Sequence, residues 1–71
     1  IMHSDDIDLI ITFHAREQMF NRGIEEDQIK RVIKRGSKIK QTDGFKSIYT
    51  YIGVSYKIIG NKYIIKTVTI E

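Results

Sequence analysis

Between Phe13 and Arg35 apolar residues recur at three- and four-residue intervals, and from Ser37 onward they alternate with polar ones, so the chain reads as helices followed by strands. Thr12 is a good helix N-cap. The stretch Phe13–Arg22 then sets Phe13, Ala15, Met19 and Phe20 on one side of a helix, with His14, Glu17, Gln18, Asn21 and Arg22 on the other. Arg16 interrupts the apolar side, where an arginine either snorkels to the rim of the core or is held by a carboxylate or an anion. Gly23 supplies the left-handed residue that ends such a helix. A second helix follows at once. Ile24 and Ile29 are spaced as a hydrophobic staple, Gln28 stands at the capping-box position, and Ile29, Val32 and Ile33 form a core stripe that stops at Gly36.

The alternating segments are Lys38–Lys40, Phe45–Ile52, Val54–Ile59 and Tyr63–Ile70, rich in β-branched and aromatic residues. Asp43-Gly44 and Gly60-Asn61 are hairpin-turn signals, and Gly53 reads as a tighter turn or a bulge. The expected architecture is α+β, with two N-terminal helices packed on one face of a three- to four-stranded antiparallel meander. Residues 1–11 read as a short arm or an edge strand, and residues 12–71 as one domain. His3, in the polar opening stretch, reads as a surface histidine.

A chain of 71 residues buries only about 60% of its unfolded surface, which leaves little stability to spare and makes a homodimer or a bound partner a reasonable support. Without Cys, neither a disulfide framework nor a Cys-based zinc site is available. No apolar run approaches the roughly 20 residues that span a bilayer, and no signal peptide is evident, so a cytoplasmic protein without a membrane role is expected. The net charge of +3 conceals a division: residues 1–27 hold seven acids and two bases, and residues 28–71 hold ten bases and two acids. Lys30, Arg31, Lys34, Arg35, Lys38 and Lys40 crowd into one short stretch, a density that attracts a polyanion or an acidic protein. Part of it has a plainer reading, because cations at the C-terminal end of a helix that begins with Glu25, Glu26 and Asp27 complement the helix dipole.

There is no glycine-rich phosphate loop, nucleophile elbow or paired-carboxylate constellation. His14 and Glu17 could share a metal, but two ligands without a third make a weak site, so neither metal nor other cofactor is expected. The segment Thr12–Val32, with His14-Ala15-Arg16, Met19, Arg22-Gly23-Ile24, Ile29 and Val32, resembles the family DUF4258, whose signature is a His-Ala-Arg-x-x-Met helix followed by Arg-Gly-Ile. Thr67-Val68 resembles its closing strand. That family looks like a branch of the RelE/ParE-type toxins, small helix-helix-sheet proteins of toxin–antitoxin pairs, many of which cleave messenger RNA without a metal. The resemblance thus implies a RelE-like sheet, an RNA target, ribosome-bound or free, and an acidic antitoxin as partner.

Metal-free RNA cleavage needs a base for the ribose 2′-OH, cations around the phosphate and an acid for the departing 5′-oxygen. His14, at the second helical position beside backbone N–H groups that favour an anion, is the candidate base. Arg22, Lys57 and Tyr51 are the candidate partners. Arg16, Lys34, Arg35, Lys38, Lys40 and Tyr49 are candidates for holding substrate, and Tyr56 is a further tyrosine able to stack on a base. Each has a plainer alternative: His14 as a cap, Arg22 on helix C-terminal carbonyls, and at least two of the tyrosines as packing. On a regular helix His14 and Arg16 lie about 200° apart, which favours a site around His14 and Arg22 and leaves Arg16 structural. Two other functional classes stay open: a non-catalytic module binding nucleic acid or an acidic protein through the basic stretch, and a toxin relative acting on a protein target.

Overall fold

A computed structural model describes residues 8–71, so His3 and the stretch around it lie outside the described residues. The elements are β1 (Asp8–Ile11), α1 (Phe13–Arg22), α2 (Glu26–Arg35), β2 (Ser37–Gln41), β3 (Gly44–Tyr49), β4 (Ile52–Ile59) and β5 (Lys62–Ile70). Among the described residues no helix is long and apolar enough to cross a membrane.

Both helices begin and end as their sequences require. The Thr12 side chain accepts from the Ala15 amide at 3.2 Å. At the other end Gly23 is left-handed, φ 66°, and the Ile24 amide donates back to the Met19 carbonyl at 2.9 Å. That bond and the burial of Ile24 fix the sharp turn into α2. Gln28 Oε1 accepts from the Glu25 amide at 2.9 Å, as the expected capping box requires.

The sheet corrects the expectation of three or four antiparallel strands. Among the described residues it has five, in the order β1-β5-β4-β3-β2, and β1 runs parallel to β5 with Leu9 opposite Tyr63 and Ile11 opposite Ile65. A strand that leads into a helix layer and meets the last strand of a meander joins it from the far edge, a pairing between residues far apart in sequence that local patterning cannot register. The β3–β4 turn is Thr50-Tyr51, not Gly53; Gly53 lies inside β4, opposite Thr69, with the end of the Glu71 side chain folded over it. Thr50 takes φ 56°, which for a β-branched residue is strained.

One face of the sheet is covered. Ile52, Val54, Tyr56, Ile65 and Val68 point into a core completed by Ala15 and Met19 of α1 and Ile29, Val32 and Ile33 of α2. The buried Ser47 hydroxyl donates to the Val32 carbonyl at 2.6 Å and ties α2 to the sheet. α1 stands against β5 and α2 against β3 and β4. The placement of α1 overturns the expected apolar side: Ala15 is 0% and Met19 5% exposed, while Phe13 and Phe20 are 78% and 86% exposed. Ala15 and Met19 are one helical turn apart on the core side, and Phe13 and Phe20, two turns apart, share the opposite side with Arg16 and Glu17 between them. Arg16 is therefore not a core-facing arginine; its side chain is exposed and lies 3.8 Å from Glu26.

Gly36 links α2 to β2 with an ordinary φ of −75°, so its need for glycine is steric. A Cβ there would stand 2.5 Å from both the Val32 carbonyl oxygen and Ser47 Oγ, and 2.7 Å from the Ile48 carbonyl oxygen. Two of those atoms are backbone and cannot swing away. Gly36→Ala should cost about 2 kcal/mol and lower the melting temperature by about 10 °C in a thermal scan; an unchanged melting temperature would show that α2 and β3 can separate without loss.

Candidate nucleic-acid interface

The basic cluster becomes one surface on folding. Ile29, Val32 and Ile33 turn to the core, which sends Arg31, Lys34 and Arg35 to the outer side of α2, where with Asp27 and Lys30 they line a shallow groove. One turn of helix separates Arg31 from Arg35, about 6 Å, a spacing comparable to that of successive phosphates along a strand. Lys38 pairs with Ser47 and Lys40 with Phe45. Because Ser47 is buried beneath α2, both lysines lie on the helix-bearing face of edge strand β2. Dipole compensation accounts for Lys34 and Arg35 in the last turn of α2. It does not account for Lys38 and Lys40, which belong to a strand.

Beside this row a cleft of about 140 Å³ opens between α2 and the β3–β4 turn, lined by Gln28, Arg31, Val32, Tyr49, Thr50, Tyr51 and Ile52. Tyr49 is half-buried and Tyr51 exposed. The cleft thus joins two tyrosines to a guanidinium, groups that stack on and hydrogen-bond to planar bases. The left-handed Thr50 stands at the turn that presents Tyr51, and strain of this kind persists where the surroundings impose it. The sequence offers Arg31 only as one member of the basic stretch and does not single out Thr50. Arg31 is next to the core residue Val32 in sequence, and only the position of the turn shows which flank of the helix matters; for Thr50 the sequence carries no signal, since threonine is a poor choice for its conformation.

The remaining candidates do not gather there. His14 is exposed in the first turn of α1 and Arg22 in the last. Lys57 follows the buried Tyr56 in β4, so it points to the sheet face turned away from both helices. The expected grouping of His14 and Arg22 with Lys57 and Tyr51 is therefore not formed: these residues divide between α1, the open face of the sheet and the β3–β4 turn. Arg16 belongs to the outer side of α1 and reaches Glu26 at the start of α2. Among the described residues no three His, Cys, Asp or Glu side chains cluster as metal ligands would.

Lys57 is instead part of an ionic latch. Its Nζ lies 3.2 Å from Asp43 Oδ1, and Lys66 Nζ lies 3.6 Å from Asp43 Oδ2 and donates to the Asp43 carbonyl. Lys66 can reach because Ser55 pairs with Thr67 and Tyr56 with Ile65, leaving it as the extra residue of a bulge. Lys46 and Glu71 make a second pair at 2.9 Å on the same face, and hydrogen bonds from Lys46 and Thr69 hold the Glu71 carboxyl below its usual range. Burial, with Tyr63 beside it, pushes the Tyr56 phenol up. Tyr56 stacks against Phe45 with ring centroids 5.9 Å apart and tilts against Tyr63 at 5.6 Å, so it is a core residue rather than a platform for a base.

The DUF4258 family model, a domain of unknown function, matches residues 11–70. The chain belongs to that family. No curated protein and no solved structure matches it significantly. Membership covers both helices and the meander of this DUF4258 domain, and so includes the basic row and the tyrosine cleft.

The latch sets a pH dependence. The Lys57 hydrogen bond and charge, with Lys66 behind them, hold the Asp43 carboxyl below its ordinary value of 3.8. The stabilisation is thus complete above the unfolded-state value and lost as pH falls through the lower folded one. An NMR titration should place the Asp43 midpoint below 3.8, and Lys57→Met should move it upward; a midpoint that ignores the substitution would mean the pair is not formed in solution.

Proposed function

We propose that this DUF4258 domain binds single-stranded RNA along α2 and β2. The observation that carries the reading is the continuity of Arg31, Lys34, Arg35, Lys38 and Lys40 with the cleft of Arg31, Tyr49 and Tyr51. Cations spaced along a helix and an edge strand suit a phosphate backbone, and the cleft suits an unstacked base at one end of the row. A duplex keeps its bases stacked and offers nothing to the tyrosines, so a single strand is the better fit. An acidic protein would meet the same cations but would leave the cleft unused.

A second reading, a metal-independent endoribonuclease of the RelE/ParE toxin type with an acidic antitoxin, is favoured by one observation: His14 stands exposed at the N-terminal turn of α1. It requires RNA to extend from the basic row on α2 and β2 to the start of α1, where His14 stands. Turnover separates the two readings.

Fluorescence anisotropy with labelled single-stranded RNA tests both. Five cations meeting phosphates predict a slope of about −3.5 in log affinity against log salt. The double substitution Lys34→Glu/Arg35→Glu should weaken binding at least about tenfold, and Tyr51→Ala about tenfold, while His14→Ala leaves affinity unchanged. Salt-independent affinity, or a duplex bound as tightly as a single strand, would rule out the proposal. Metal-free cleavage abolished by His14→Ala, with binding retained, would establish the second reading.

A further inference from the structure

Phe13 and Phe20 stand 78% and 86% exposed on the side of α1 that faces away from the core, with Arg16 and Glu17 between them. Isolated exposed apolar residues need no explanation, but two phenyl rings seven positions apart, both nearly bare on one ten-residue helix, form an aligned stripe. Phe13, Arg16, Glu17 and Phe20 line one shallow groove along it.

The order of these residues is symmetric about the midpoint between Arg16 and Glu17. A two-fold axis through that point, perpendicular to α1, lays a second copy antiparallel to the first. Under that operation Phe13 meets Phe20 of the other copy, Phe20 meets its Phe13, and each Arg16 meets a Glu17. Apolar residues at i and i+7 flanking a charged pair of opposite sign make the stripe self-complementary, as an isologous interface requires. A parallel arrangement would place like charges together. The contact between Arg16 and Glu26, 3.8 Å long and more than half exposed at both ends, is weak enough to be exchanged for a closer pair with Glu17 of the second copy.

We infer that α1 is a homodimer interface in which two copies pair antiparallel through Phe13, Arg16, Glu17 and Phe20. Four aromatic side chains of about 200 Å² each, with their charged neighbours, bring the buried area near the roughly 1,000 Å² at which a weak, specific interface begins. A weak dimer is expected, one that forms and separates with protein concentration. The interface uses the outer side of α1 and leaves α2 and β2 clear, so it stands independently of RNA binding; if both hold, each dimer presents two basic rows.

Sedimentation equilibrium across about 5 to 500 μM protein, a range bracketing micromolar affinity, tests the inference on the full chain. Concentration-dependent dimerisation is expected, weakened at least about a hundredfold by Phe20→Ser because two rings are lost per dimer. Both phenylalanines are exposed, so the variant should fold, and circular dichroism checks that it does. Arg16→Glu alone and Glu17→Arg alone should each weaken the dimer by opposing like charges, and the two together should restore it. A chain that stays monomeric throughout would leave the stripe to a different protein and overturn the inference. So would a dimer indifferent to Phe20→Ser, or a double exchange that fails to restore pairing.

Discussion

The backbone of β5 is paired along both edges, and the positions of the other elements follow from how that is achieved. β4 covers one edge along its length. On the other edge β1 pairs only as far as Ile65, and α1 takes over beyond it. The Thr12 hydroxyl donates to the Ile65 carbonyl at 2.9 Å, and Gln18 Oε1 accepts from the Val68 amide at 2.9 Å. A sheet edge that would otherwise present bare amides is closed by a helix and its side chains. Thr12 serves twice, since the same oxygen also caps α1. This fixes the rotation of α1 about its axis, and with it the burial of Ala15 and Met19 and the exposure of Phe13, Arg16, Glu17 and Phe20.

The second constraint is that, among the described residues, only one face of the sheet is covered. Two ten-residue helices shield one side, and the other is left to solvent with Ile10, Ile39 and Ile59 exposed among lysines and their carboxylate partners. There Asp43 and Glu71 gather the cations of β3, β4 and β5, so the open face carries paired charges. On the helix-bearing side the groove along α2 is lined by Lys30, Arg31, Lys34 and Arg35 with one acid, Asp27. The proposed RNA site uses the α2–β2 edge rather than the broader open face, although both hold several lysines.

Edge strand β2 connects stability to recognition. All five of its residues are exposed, and lysines at 38 and 40 discourage pairing with a strand of another chain. The same lysines extend the positive row from the end of α2. In the proposed RNA site a residue pair that protects an edge would also meet phosphate, with no separate structural support, which suits a domain with so small a core.

The sequence alone determined both helices with their caps, the alternating strands and the basic stretch, because these depend on neighbours within a turn of helix or a hairpin. As caps, Thr12, Gly23 and Gln28 act on groups at most five residues away and could be read directly. Tertiary structure decided what depends on distant pairing: β1 as a parallel fifth strand, the turn at Thr50-Tyr51, and the outward side of α1. Phe13 and Phe20 show why. Their hydrophobicity favours burial, but the bonds of Thr12 and Gln18 to β5 set the rotation of α1, and a helix resting on one sheet can bury only one side. The site divides in the same way. The cations of α2 were legible as a local run, whereas the cleft that sets Arg31 beside Tyr49 and Tyr51, and the separation of His14 from Lys57, depend on the face of the sheet to which each strand residue turns.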